Sequence, residues 1–306
     1  MRSLPSNFPM LDSAPAPAHP FSIMKAPSLL LPALLLALAA LPSVADDLEL
    51  TLAREANWLI VRSPKLPGGE LRTNYLEAYC RAGSTDADWG AHTVIPHKSE
   101  AIFMTDDQKM FRLRDTLADG VIVEHTITAK DDEVDFQLVA SNPTDKPSEA
   151  HWAQPCVRVS AFTGFDEKTA GSATDYLSKC FIFLDGKLTR MPTPDWAVKA
   201  RYTPGQVWCP KGVPRTDVNP RPLSDAIPSH GLIGCFSVDE KLVFASAWEP
   251  YQELFQGVAR CVHSDFRIGG LAPGEKKHIH GKMYFLPPDA DALLARYVKD
   301  FPESQR

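Results

Sequence analysis

The chain has 306 residues, with 32 Lys and Arg against 38 Asp and Glu, a net charge of −6 and 44% hydrophobic residues. The acidic balance argues against nucleic acid as a partner, and the hydrophobic share suits a globular core. After Leu50, no stretch is apolar over the roughly 20 residues that a membrane-spanning helix needs.

Lys25 introduces an apolar run from Leu29 to Leu41, followed by the small residues Ser43, Val44 and Ala45. Basic, apolar and small-residue segments in that order read as a secretory signal peptide over residues 1–45, cleaved after Ala45, with a periplasmic or secreted destination. Met24 is an alternative start, because residues 1–23 are rich in Pro and Ser. An uncleaved anchor is the other reading of the run, opposed by its length, by Pro32 and by Asp46 and Asp47 directly after it. Loss of Arg2, Lys25 and Asp12 with the signal leaves 30 basic and 37 acidic residues, a net charge of −7. Residues 46–306 then read as a single domain with no membrane span.

Along that domain, short apolar stretches rich in β-branched and aromatic residues end at Pro, Gly, Asn or Asp, which predicts strands. Pro67-Gly68-Gly69-Glu70 reads as a turn, since no helix pattern follows it to make a phosphate cradle. His97 follows a loop-like segment from Trp89 to Pro96, where a polar site residue is at home. Val121–Ala129 and Val134–Ala140 form a hairpin, with Val134, Phe136 and Leu138 alternating with polar residues. Phe181–Leu184, Asp185-Gly186 and Lys187-Leu188 form a tight hairpin on a favoured turn pair.

From Met191 to Pro228 the chain carries eight prolines with Trp196 and Trp208, and is expected to be a long ordered binding loop over residues 191–228. Further strands are expected at 231–237, 242–248, 262–268 and 278–286. A helix over Ala290–Phe301 follows from Leu293, Leu294, Tyr297 and Phe301 at helical spacing behind Asp289. The fold expected is all-β, an antiparallel two-sheet supersandwich with one short C-terminal helix.

Cys80, Cys156, Cys180, Cys209, Cys235 and Cys261 are widely spaced, with no CxxC, which disfavours a metal cluster or a redox motif. Export permits disulfides, with 15 pairings open for six cysteines, and burial as small hydrophobes is the alternative. No cofactor is expected: GxSxG, HExxH, P-loop and dinucleotide motifs are all absent.

Residues two apart on a strand share a face, so Trp152, Gln154, Cys156 and Arg158 stand together, as do His263, Asp265 and Arg267. A polar face with arginines and an indole is suited to sugar hydroxyls and to stacking on the ring, and Trp208 and Gln252 join the same substrate-binding set. The plainer reading is two solvated faces of antiparallel strands. Glu249 ends an apolar strand, where a carboxylate can act as a general base. His278 and His280 share a strand face and are read as structural or solvated in preference to metal ligands.

Leu271-Ala272-Pro273-Gly274-Glu275, followed by a strand through Lys282–Phe285, resembles the closing turn of the galactose mutarotase-like fold of aldose 1-epimerases. Glu249-Pro250-Tyr251-Gln252 is similar to the family segment bearing the catalytic base, and Val134–Asn142 followed by His151 is similar to the strands before its catalytic histidine. The resemblance implies that His151 protonates the ring oxygen while Glu249 takes the anomeric proton, with His97 as a second candidate acid. In place of the family's usual His-x-Asn-Tyr segment stands Trp152-Ala153-Gln154-Pro155-Cys156. The function expected is recognition or processing of a carbohydrate outside the cytoplasm. A noncatalytic sugar-binding module and a structural or interaction protein of the cell envelope are the alternatives.

Overall fold

The computed structural model describes residues 47–83, 89–165, 174–196, 206–218, 222–257 and 259–302. The expected signal peptide, and residues 197–205 and 219–221 of the expected loop, lie outside these. Among the described residues the strands are β1 (Thr51–Glu55), β2 (Trp58–Arg62), β3 (Glu70–Cys80), β4 (Val94–Ile95), β5 (His97–Met104) and β6 (Met110–Leu117). There follow β7 (Ile122–Ala129), β8 (Glu133–Ser141), β9 (Trp152–Arg158), β10 (Cys180–Leu184), β11 (Lys187–Arg190) and β12 (Val207–Trp208). The last are β13 (Leu232–Phe236), β14 (Val243–Glu249), β15 (Tyr251–Gln256), β16 (Cys261–Arg267) and β17 (Lys276–Leu286). The described residues also form two α-helices, α1 (Ser160–Thr163) and α2 (Ala290–Asp300).

The strands form two antiparallel sheets, as expected. One runs β1-β2-β3-β9-β16-β15-β12 with β4 paired to β3, and the other is nine-stranded, β11-β10-β13-β14-β17-β8-β7-β6-β5. Alternation decides which side of each strand is buried. Val157, Val262 and Phe266 of the first sheet meet Phe136, Ile279 and Met283 of the second in one core, and the Phe266 ring lies 4.9 Å from that of Trp248. Burying each such aromatic side chain contributes roughly 2–3 kcal/mol. Asp185 and Gly186 both have positive φ, 50° and 72°, and this expected turn joins β10 to β11.

Helix α2 begins where Asp289 Oδ1 accepts the backbone N–H groups of Asp291 and Ala292, each at 3.0 Å. Its Leu293 and Tyr297, with Phe301 beyond its end, pack on Phe181, Phe183 and Tyr284, covering the outer side of the nine-stranded sheet. Arg296 ties the helix to Asp132, in the β7–β8 turn, and to Glu133 at the start of β8. None of the described helices is long and apolar enough to cross a membrane. All six cysteines are buried and unbridged.

Candidate functional site

The two strands expected to share a polar face do so. β9 and β16 are neighbours, with Arg158 opposite Cys261 and Trp152 opposite Arg267. Gln154, Cys156, His263 and Asp265 therefore converge on the outer side of the first sheet. Neither a solvated face nor an open sugar platform describes it, however, because this side is covered. Val207, Cys209, Val213 and Val218 of the Pro-rich segment pack with Phe255 into an apolar cap, and Gln154, Glu253, His263 and Asp265 are buried beneath.

The His263 ring stacks on Phe255, centroids 4.0 Å apart, with Nδ1 3.4 Å from Asp265 Oδ1 and Nε2 3.5 Å from Cys261 Sγ. Burial pushes the Asp265 carboxyl up to about 6, against the hydrogen bonds of His263 and Gln154.

Neither tryptophan offers a free ring to a sugar. Trp152 is buried against Trp89, Ala78 and Cys80, and its Nε1 donates to the Arg81 carbonyl at 3.1 Å. Trp208 points the other way, into the core between the sheets, with its ring 5.9 Å from that of Trp196. Arg158 lies over the Trp58 ring at 5.4 Å and donates to the Ala259 carbonyl. At the rim, His151 Nδ1 is 3.7 Å and Arg267 Nη1 3.0 Å from Asp217 Oδ2, while Arg267 also donates to Gln252. Burial opposes the charge on Asp217, but the neighbouring His151 ring, Arg267 and the Gly83 N–H outweigh it and hold the carboxyl below its ordinary range.

His97 is the first residue of β5 and not part of a loop. Its ring meets that of Tyr79 edge-on at 5.0 Å, and burial lowers the imidazole's proton affinity. It lines a cavity of about 400 Å³ with Arg54, Asn57, Leu76, Glu77 and Ser99. Behind it lies a buried network that sequence reasoning passed over. Asp115 accepts from Ser99 Oγ at 2.6 Å and Tyr79 Oη at 2.7 Å, and His125 joins Asp115 to Tyr75.

The expected acid–base pair is not assembled. His151 faces Asp217, whereas Glu249 belongs to a different site on the outer side of the nine-stranded sheet. There Glu249 stands directly opposite His280 across the β14–β17 ladder, and His280 stands opposite Gln137 across the β17–β8 ladder. Directly opposed residues project to one face with Cβ atoms roughly 5 Å apart. All three line a cavity of about 530 Å³ with His278, Asp300 and Phe301. The Glu249 carboxyl is raised by burial, offset in part by a hydrogen bond from the Tyr297 hydroxyl of α2. His280 Nε2 lies 2.9 Å from Asp135 Oδ1, which orients the ring, and Phe301 covers one side of it at 4.7 Å. The signal in the sequence was the alternation of His278 and His280, which placed both on one face without showing what faced them.

No protein-family model matches the sequence, and no curated protein does. Among solved structures, the chain is similar to the Slr1438 protein of Synechocystis sp. PCC 6803, at 10% identity over 78% of this chain and 96% of that one, with a TM-score of 0.42. It is also similar to a protein of Escherichia coli K12 assigned provisionally as an aldose 1-epimerase, at 11% identity over 78% and 99% of the two chains, TM-score 0.41. A galactose mutarotase related enzyme of Lactobacillus acidophilus matches at 9% identity over 77% and 97%, TM-score 0.38.

Proposed function

We propose that the protein recognises and processes a carbohydrate outside the cytoplasm, in the cavity formed by β14, β17, β8 and α2. The observation that carries this reading is the cross-strand pair Glu249 and His280 in one cavity of about 530 Å³, a size typical of small-molecule sites. Polar groups that suit sugar hydroxyls, Gln137, Glu249, His278, His280 and Asp300, share its wall with Ile279, Pro250 and Phe301, which suit the apolar side of a pyranose.

Glu249 and His280 supply the two proton-transfer roles. Glu249 as carboxylate takes the proton of the anomeric hydroxyl. His280, held by Asp135, gives a proton to the ring oxygen as the bond from anomeric carbon to ring oxygen opens. Closure on the other face of the carbonyl returns both protons. His280 thus takes the acid role that the resemblance gave to His151. Residues 29–45 support export.

The test is anomer interconversion of a panel of free aldoses, followed by polarimetry and by NMR titration, for the wild type, Glu249→Gln and His280→Asn. Acceleration by the wild type, reduced at least 100-fold in both variants with binding retained, is the expected result. Saturable binding without acceleration leaves a noncatalytic sugar-binding module. Absence of both overturns the reading.

A further inference from the structure

Cys156, Cys261 and His263 are all buried, which leaves two thiols and an imidazole in one place, away from the Glu249 cavity. One donor atom from each lies within 4.8 Å of the other two. A sulfur and a nitrogen on one tetrahedral zinc ion, at about 2.3 and 2.0–2.1 Å, stand roughly 3.5 Å apart. Cys261 Sγ and His263 Nε2 are separated by 3.5 Å. Two sulfurs on such an ion stand about 3.8 Å apart, so Cys156 need close by no more than about 1 Å.

Three further features suit a metal centre. Asp265 Oδ1 lies 3.4 Å from the other ring nitrogen of His263, the carboxylate–imidazole arrangement that fixes a ligating histidine's tautomer and orientation. Phe255 holds the same ring flat from the side. At Gly257 the wall is bare backbone: a Cβ there would lie 2.2 Å from Cys261 Sγ and 3.2 Å from His263 Nε2. A fourth group is at hand in Glu77, whose Oε2 is 4.0 Å from His263 Nε2 and whose side chain is 40% exposed. Glu77 also lines the cavity of about 400 Å³.

We propose that Cys156, Cys261 and His263 bind a thiophilic metal ion, zinc by preference, with Glu77 or a water molecule completing the tetrahedron and Asp265 orienting His263. Metal-ligand spacing rules miss the site because its donors come from two paired strands, with Cys261 and His263 two residues apart on β16 and Cys156 on β9.

The chain is purified under reducing, oxygen-free conditions from zinc-supplemented medium, and its metal content is measured by mass spectrometry. In parallel, cobalt(II) is added to metal-free protein. Near one zinc per chain is expected, and with cobalt a thiolate-to-metal charge-transfer band and the intense visible bands of a tetrahedral ion. His263→Gln and Gly257→Val abolish both signals, Asp265→Asn weakens affinity about 10- to 100-fold, and Glu249→Gln changes neither. Circular dichroism checks that each variant folds, and the wild-type cobalt spectrum decides the matter even where one does not. A wild type that takes up neither ion overturns the proposal. So does a wild type whose mass shows Cys156 and Cys261 joined as a disulfide, or a folded His263→Gln that binds zinc as tightly.

Discussion

Glu249 and His280 face each other across the β14–β17 ladder, the one bonded to Tyr297 of α2 and the other to Asp135 of β8. A carboxyl raised by burial has a definite signature in stability. Its folded proton affinity exceeds the unfolded one, so its contribution is fully present below the unfolded pKa and is lost as pH rises through the folded value. Glu249→Gln removes that loss and keeps an acceptor for Tyr297. Urea denaturation from pH 4 to 8 should show the variant more stable than the wild type at pH 7, by an amount of order 1 kcal/mol, with the gap closing at low pH. A variant no more stable than the wild type at pH 7 would rule out a buried, ionised Glu249.

Asp115 gives the opposite sign. Burial opposes its charge, but the hydrogen bonds from His125, Ser99 and Tyr79 outweigh it and bring the carboxyl down to about 2. The stabilisation is present above the unfolded value of about 3.9 and is lost as pH falls toward the folded one. Asp115→Ala leaves its buried partners unpaired and should cost about 3–5 kcal/mol at neutral pH. Its stability should also depend less on pH between 4 and 2 than the wild type's. An unchanged acid transition would show that Asp115 is not the titrating group.

Trp208→Ala should lower stability by about 3–5 kcal/mol, the usual consequence of emptying an aromatic site in a core. Trp208→Phe, which keeps most of the volume, should leave unchanged the sugar binding proposed for the Glu249 cavity. Loss of binding in a stably folded Trp208→Phe would return this indole to the binding surface.

None of the six cysteines should react with a small aromatic disulfide reagent in the native protein, and all six should react once it is unfolded without reductant, since each is buried and unbridged. Fewer than six reactive thiols after unfolding would reveal a bridge.

Local patterns foretold the ladders well. Val134, Phe136 and Leu138 alternate inward as read, the Asp185-Gly186 turn closes its hairpin, and the spacing of Leu293, Tyr297 and Phe301 delivers α2 to the sheet. Period-two reasoning also grouped Gln154, His263 and Asp265 correctly, because strand geometry alone sets which side chains share a face. It cannot say whether another segment lies over that face. The cap from Val207 to Val218 turned an apparent platform into an interior, and it arrives from far along the chain. The separation of His151 from Glu249 has the same origin, since Glu249 turns toward Tyr297, 48 residues away in sequence. The Asp115–His125 network was within reach: Asp115 follows Phe111 and Leu113 at two-residue spacing, and His125 lies between Val123 and Ile127 on the buried side.

Helix α2 follows every strand of both sheets, yet it supplies Tyr297 to Glu249, and the segment just after it supplies Phe301 to the cavity wall. During synthesis, the ladders holding Glu249, His280 and Gln137 can therefore pair before the chamber they line has its last side. Ligand affinity should then rise abruptly with the docking of this segment, and a nascent chain halted before residue 290 would be able to fold its sheets while remaining blind to the sugar proposed above.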